Sequence, residues 1–396
     1  MKYTYETYYK SARPDGRIVP SLAAEMERAR RTRPALSALK NPTKEEFLIW
    51  QEQVREKVKE LCVMPPFTEQ PAPVLLSTVQ RDGYRVERWE FYPDDVAAVP
   101  VLLMVPDSAT AEHPAPLVLC FTGSFGNKEY IADEPNLPGE ACNIDRYPER
   151  NRMGKYYVEN GMIAACFDPL SMGELSLDSE DPGHGWHSRT SLSSFYIVQG
   201  CSYTSVSVRN AFCFMSFLKS LPIVDETRIA TSGHSLGTEV AIYMAMLSDE
   251  IKAVVFNDLV SSHYDRFISF TEHEALGDRL AHYTQIHIVP GAGRYFDLKD
   301  LCAAMAPRPL TCNEGGAEEH LNEVRAAYAA LGAEDKLQIS HYPKFTDPAS
   351  RNHAEQVPLY GLSDNTYFEY TNTDAPDHSF RKEPSVAFLK KHFGLE

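Results

Sequence analysis

Residues 228–237 read Arg-Ile-Ala-Thr-Ser-Gly-His-Ser-Leu-Gly. The short run Arg228–Thr231 predicts a buried strand, and Leu236–Leu247 predicts a helix. Between them Gly233, Ser235 and Gly237 form G-x-S-x-G. A strand entering and a helix leaving put the serine on a tight turn, with its hydroxyl at the carboxyl end of a sheet. Gly233 and Gly237 provide the missing side-chain bulk that such a turn needs. The competing structural reading is a plain helix N-cap serine.

Outward from this turn, the chain alternates strand and helix. Pro116–Phe121, Met162–Phe167, Ile251–Phe256, Arg308–Cys312 and Leu337–His341 read as apolar strands, and Tyr147–Asn160, Ser205–Leu221 and Pro384–Phe393 as helices. Continuous apolar strands alternating with helices predict an α/β architecture, a mostly parallel sheet covered on both faces. Pro73–Val79, Tyr84–Tyr92 and Ala97–Val105 precede it as a β-rich lead-in turning at Asp82-Gly83. Residues 1–72 read as an N-terminal helical extension, and 73–396 as the main domain. In the extension Thr43 and Glu46 form a capping box. Phe47, Trp50, Val54, Val58 and Leu61 then follow at helical spacing, so this helix must lie on the sheet or on a partner copy, leaving a homo-oligomer open. Three stretches break the rhythm, at about 171–203, 259–300 and 343–374. Insertions of that length in a compact domain are usually functional.

Composition removes several function classes. The 396 residues carry 39 Lys and Arg against 55 Asp and Glu, a formal charge of −16. That balance repels phosphate backbones and anionic membranes, so neither nucleic acid nor a membrane is an expected partner. No run of about 18 apolar residues predicts a membrane span. The opening residues do not read as a secretory signal. The eight cysteines form no C-x-x-C pair, and Cys120, Cys166 and Cys312 fall in predicted strands, which fits a reducing cytoplasm.

A serine hydroxyl attacks a carbonyl only when a base takes its proton. Of 13 histidines, His378 is best placed, after the last predicted strand and before the last helix. The carboxylate that orients it belongs after Arg308–Cys312, where Glu318 follows the Gly315-Gly316 turn; Glu314, Glu319 and Asp258 are rivals. An oxyanion needs preorganised N–H groups, expected from Leu236 and from Ser124 in the loop after Pro116–Phe121. His234 reads as scaffold. His184 and His187 in Gly183-His184-Gly185-Trp186-His187 have no carboxylate or cysteine near them in metal-ligand spacing, so the segment reads as substrate-cleft or structural, with Trp186 and His187 the substrate-binding candidates.

These pieces resemble the α/β-hydrolases of the bacterial acetyl-xylan-esterase-like and dienelactone-hydrolase-like type. The resemblance runs from about Arg81 to the C-terminus, through Arg81-Asp82-Gly83-Tyr84, Thr122-Gly123, Phe167-Asp168-Pro169, Gly233–Gly237, Ala306-Pro307-Arg308-Pro309 and Gly315-Gly316-Ala317-Glu318. The group usually has His-Gly at Thr122-Gly123 and Asp at Glu318. It implies the chain order Ser235, Glu318, His378, and a serine esterase that forms an acyl-enzyme without metal or cofactor. Aromatic residues crowd the three long stretches and stack well on sugar rings, so the expected substrate is a small acyl ester, acetyl above all, on a carbohydrate or similar alcohol. A peptidase, thioesterase or lactone hydrolase on the same fold is the alternative, followed by a non-catalytic relative.

Overall fold

The computed structural model describes residues 15–19, 21–124, 126–135, 151–177, 185–262, 285–357 and 364–395. Nine strands form one sheet: β1 (Val74–Gln80), β2 (Tyr84–Phe91), β3 (Val99–Pro106), β4 (Ala115–Phe121), β5 (Ile163–Phe167), β6 (Val224–His234), β7 (Ile251–Asn257), β8 (Leu310–Cys312) and β9 (Leu337–Ile339). Their spatial order is β1-β2-β3-β5-β4-β6-β7-β8-β9. The β1–β2, β2–β3 and β3–β5 pairs are antiparallel, and the remainder are parallel. The lead-in strands therefore extend the sheet at one edge rather than standing apart from it.

Alternation along the central strands sorts the core into two layers. Val101, Leu103, Val105, Leu117, Leu119 and Phe121 face one side, packed with helices Tyr203–Leu218, Gly237–Leu247 and Leu298–Ala304. Leu102, Met104, Val118 and Cys120 face the other, packed with helices Met153–Val158 and Lys382–Phe393. Both faces being covered, the strands can be apolar throughout.

Helix Lys44–Leu61 begins at the expected capping box: the Glu46 amide donates to Thr43 Oγ1 and the Thr43 amide to Glu46 Oε2. Its buried residues are Phe47, Trp50, Val54 and Val58. They join the first core layer, and Trp50 Nε1 donates to the Leu36 carbonyl at 2.9 Å. The apolar stripe thus lies on this chain's own body. Elsewhere, β6 is longer than its apolar run, because Val224 and Asp225 already pair with Ala115 and Pro116. Of the helix expected over Tyr147–Asn160, the part from 147 to 150 lies outside the described residues, and the helix seen is Met153–Val158. The long stretches hold short helices, Gly185–Val198 in one and Asp364–Tyr370 in another.

At the centre, β4 and β6 converge below the G-x-S-x-G turn. A Cβ on Gly237 would stand 2.1 Å from the Phe121 carbonyl oxygen, and one on Gly233 would stand 2.3 Å from the Gly237 oxygen. Both obstacles are backbone, so no side-chain rotation relieves them. Gly237→Ala should therefore cost more than about 4 kcal/mol of stability or prevent folding. Urea denaturation or soluble yield measures this, and wild-type stability in Gly237→Ala would contradict the close approach.

Candidate active site

The turn holds Ser235 at φ 50°, a left-handed conformation that a non-glycine residue adopts only under external constraint. The constraint is visible. The Ser235 amide donates to the Asn257 carbonyl on β7 at 3.0 Å, and the Thr238 amide and hydroxyl both donate to the Ser235 carbonyl. The serine is fixed from both sides of its own peptide group.

Across from it runs the loop after β4. A Cβ built on Gly123 would sit 3.3 Å from Ser235 Cβ, so the loop's backbone lies directly against the serine. The Leu236 and Ser124 amides find no backbone acceptor among the described residues. Two buried cations hold this loop. Arg189, on helix Gly185–Val198, donates to the Ser124 carbonyl at 2.6 Å. Lys128, wholly buried, is gripped by Asp168 at the end of β5 through both its amide (2.7 Å) and its ammonium (2.9 Å). Glu129 and Glu174 also face that ammonium, and Arg88 bridges the same two glutamates. Burial pushes the Asp168 carboxyl up to about 6 despite Lys128 beside it. Neither Arg189 nor this network is legible as a motif.

His378 lies beyond β9, its ring 4.9 Å from that of His234 and 5.3 Å from that of Phe368. Its Nδ1 is 2.6 Å from Glu314 Oε2. The carboxylate on His378 is therefore Glu314, and the choice of Glu318 is corrected. Glu314 comes two residues after β8, before the glycine turn. Gly315 (φ 73°) and Gly316 (φ 146°) then carry the chain against Val260, and into helix Glu318–Ala330. Glu318 consequently points away and pairs with Arg325 and Arg351. Glu319 pairs with His353, and Asp258 accepts the Leu259 amide.

Glu314 is fully buried and held on all sides. Asn257 Nδ2 donates to Oε1 at 2.5 Å, Tyr342 Oη donates to Oε2 at 2.9 Å, and Thr373 donates to its backbone carbonyl. Burial raises its pKa, His378 and Tyr342 pull the other way, and Asp258 adds to the rise. Asn257 also donates to the Ser379 carbonyl and accepts from the Arg381 amide, tying the acid to the loop that carries the histidine.

Helix Gly185–Val198 contains Trp186 and His187, but their side chains lie outside the described residues. Several aromatics of the long stretches pack rather than face a cleft: Tyr203 is buried and donates to the Leu170 carbonyl, and Tyr367 is fully buried beside Leu259. Phe368, itself buried, stands beside His378. Cys142 lies outside the described residues. Burial raises the Cys62, Cys120, Cys201, Cys213 and Cys302 thiols, which makes them poor nucleophiles. A cavity of about 30 Å³ opens between Thr122 and Leu236, walled by Phe121, Phe167, Leu170 and Val240.

The model of the Abhydrolase family matches residues 3–391. The chain belongs to this family. Its fold, a mostly parallel sheet with the G-x-S-x-G turn after β6, is the α/β-hydrolase fold. A candidate acetyl xylan esterase from Bacteroides fragilis is 33% identical, with a TM-score of 0.84 and 97% of each chain covered. Glucuronoyl esterases from Solibacter usitatus (16% identity, TM-score 0.54, 92% of this chain and 98% of that one) and Teredinibacter turnerae (14%, 0.52, 92% and 90%) share the fold. No curated protein matches. The chain is thus an esterase-like α/β-hydrolase. No described helix is long and apolar enough to cross a membrane.

Three described histidines of this hydrolase are depressed by burial: His234 well below the ordinary value, with His378 adding to the effect, His341 to about 4, and His392. Below about pH 6.5 the unfolded chain binds protons that the native histidines refuse. Stability from these groups is therefore full above that pH and falls as pH drops through it. Asp168 and Glu314, raised by burial, work in the opposite sense, so a single variant isolates the effect. His234→Phe should show a smaller loss in urea midpoint from pH 7.5 to pH 5 than wild type. Equal losses would contradict a buried, uncharged His234.

Proposed function

We propose that the chain is a serine carboxylic-ester hydrolase in which Ser235 is the nucleophile, His378 the general base and Glu314 the carboxylate that orients it. The observation carrying this reading is the 2.6 Å contact from His378 Nδ1 to a fully buried Glu314. It fixes the tautomer that leaves the other ring nitrogen able to accept a proton. Ser235 Oγ bonds to the carbonyl carbon as His378 takes its proton, and the oxyanion is met by the Leu236 and Ser124 amides. His378 then passes the proton to the departing alkoxide, and the acyl-enzyme remains. Water attacks it by the same route, with its proton going to His378 and then to Ser235. The Asn257 and Tyr342 donors favour the ionised Glu314 needed to stabilise the imidazolium.

A small acyl group is supported by the cavity between Thr122 and Leu236. Its roughly 30 Å³ has room for about two waters, which suits an acetyl group. The likeness to the Bacteroides fragilis protein supports a carbohydrate ester.

Ser235→Ala should remain folded, lose its reaction with a fluorophosphonate probe, and fall by several orders of magnitude in ester turnover. Glu314→Gln should lower kcat on the order of 10³–10⁴-fold. Glu318→Gln, on the surface arginines, should stay within about a factor of three of wild type. Equal effects of the two glutamine variants would sink the assignment of Glu314. On substrate, kcat/KM should fall from 4-nitrophenyl acetate to the octanoate, and acetylated xylo-oligosaccharides should be deacetylated. A preference for octanoate, or no acetate release from any sugar, would leave only a general esterase.

A further inference from the structure

His234, the motif residue before the serine, has no part in the mechanism above. Its Nε2 is buried and has no hydrogen-bond partner. That atom stands 3.9 Å from Glu314 Oε1, beyond hydrogen-bond reach and too close for a well-placed bridging water. Of the roughly four lone-pair sites of an ionised carboxylate, Glu314 uses one on Oε1 for Asn257 and two on Oε2 for His378 and Tyr342. One site on Oε1 is left, on the atom that His234 Nε2 approaches. A histidine nitrogen and a carboxylate oxygen thus face each other across a gap that neither a direct hydrogen bond nor a water fills.

The geometry points to a binding site for a divalent transition metal of the zinc class, formed by His234, Glu314 and His378. One ligating atom from each lies within 4.8 Å of the others. Zinc bonds of about 2.0–2.1 Å at tetrahedral angles put ligands about 3.4 Å apart, so shifts of up to about 0.7 Å per atom close the set. Two imidazoles and one carboxylate suit zinc, and burial keeps His234 in the neutral form that binds metal. Proton balance follows from tautomers. Bound through Nδ1, a neutral His378 carries its single proton on the other nitrogen, and His234 bound through Nε2 carries its proton on Nδ1. No net proton is released at neutral pH. His378 can no longer accept the serine proton, so occupancy stops turnover; this second half rests on the esterase reading.

The full-length protein, titrated with Co²⁺ followed by its visible bands and with Zn²⁺ by calorimetry, provides the test. One ion per chain should bind, more weakly as pH falls below the histidine range, and Zn²⁺ should inhibit hydrolysis of 4-nitrophenyl acetate until a chelator removes it. His234→Phe, or His234→Gln if the first does not fold, should weaken binding at least tenfold. Ser235→Ala should bind as wild type does. Zinc absorption spectroscopy on the wild type should show two imidazole nitrogens and one carboxylate in the first shell, independent of any variant. Binding that is absent, unchanged in a folded His234 variant, or of different ligand count overturns the proposal. Binding that needs His234 in a protein without esterase activity would uphold the metal site and refute the esterase reading instead.

Discussion

The molecule turns on a contact with no side chain in it: Gly237 against the carbonyl of Phe121. Because nothing separates the start of helix Gly237–Leu247 from the end of β4, the turn after β6 and the loop after β4 are pressed into one small space. Ser235 is thereby set against Gly123 and held in a strained backbone conformation. The strain is sustained by hydrogen bonds to β7 and to the helix itself. Larger residues at 233 or 237 would separate the strand ends and leave the serine and its facing amides too far apart to act on one atom.

Buried charge is the second organising feature. Lys128, Glu129 and Asp168 are almost completely removed from water and survive because each meets opposite charge. Such a network adds little to stability relative to apolar packing, but it is intolerant of rearrangement: a displaced partner would strand a charge in the interior. It pins the loop after β4 more sharply than apolar contacts could. Glu314 receives equivalent treatment on the other side of the serine, from neutral donors rather than from a lysine. Neutral donors leave its charge available to His378, whereas a buried cation would neutralise it.

The sequence was legible wherever the signal was local. The strand–turn–helix around Ser235, the apolar strands and the Thr43–Glu46 cap each rest on residues within one turn of one another. His378 was singled out from its place after the last strand, and the structure sets a carboxylate against it. Which carboxylate meets it was not legible, because Glu314 and Glu318 flank the same glycine turn and differ only in which way the chain is heading. That direction is set by Val260, Asn372 and Tyr342, which are remote in sequence. The cue lay in register: the residue two past the end of β8 is still aimed along the sheet, and the one at the following helix start is not. Arg189 and Lys128 carried no local signature, since a cation turns into a loop anchor only through a carbonyl or carboxylate 65 or 40 residues away.

The supports of Glu314 are scattered late in the chain. Tyr342, Thr373 and the Ser379 carbonyl reach back to Glu314 and Asn257 over separations of 28, 59 and 122 residues. During synthesis the turn at Ser235 and strands β4 to β7 are made before these supports, and before helix Lys382–Phe393, which completes the second core layer. The surroundings of His378 are completed only when helix Lys382–Phe393 packs on this layer and its preceding loop is tied to Asn257.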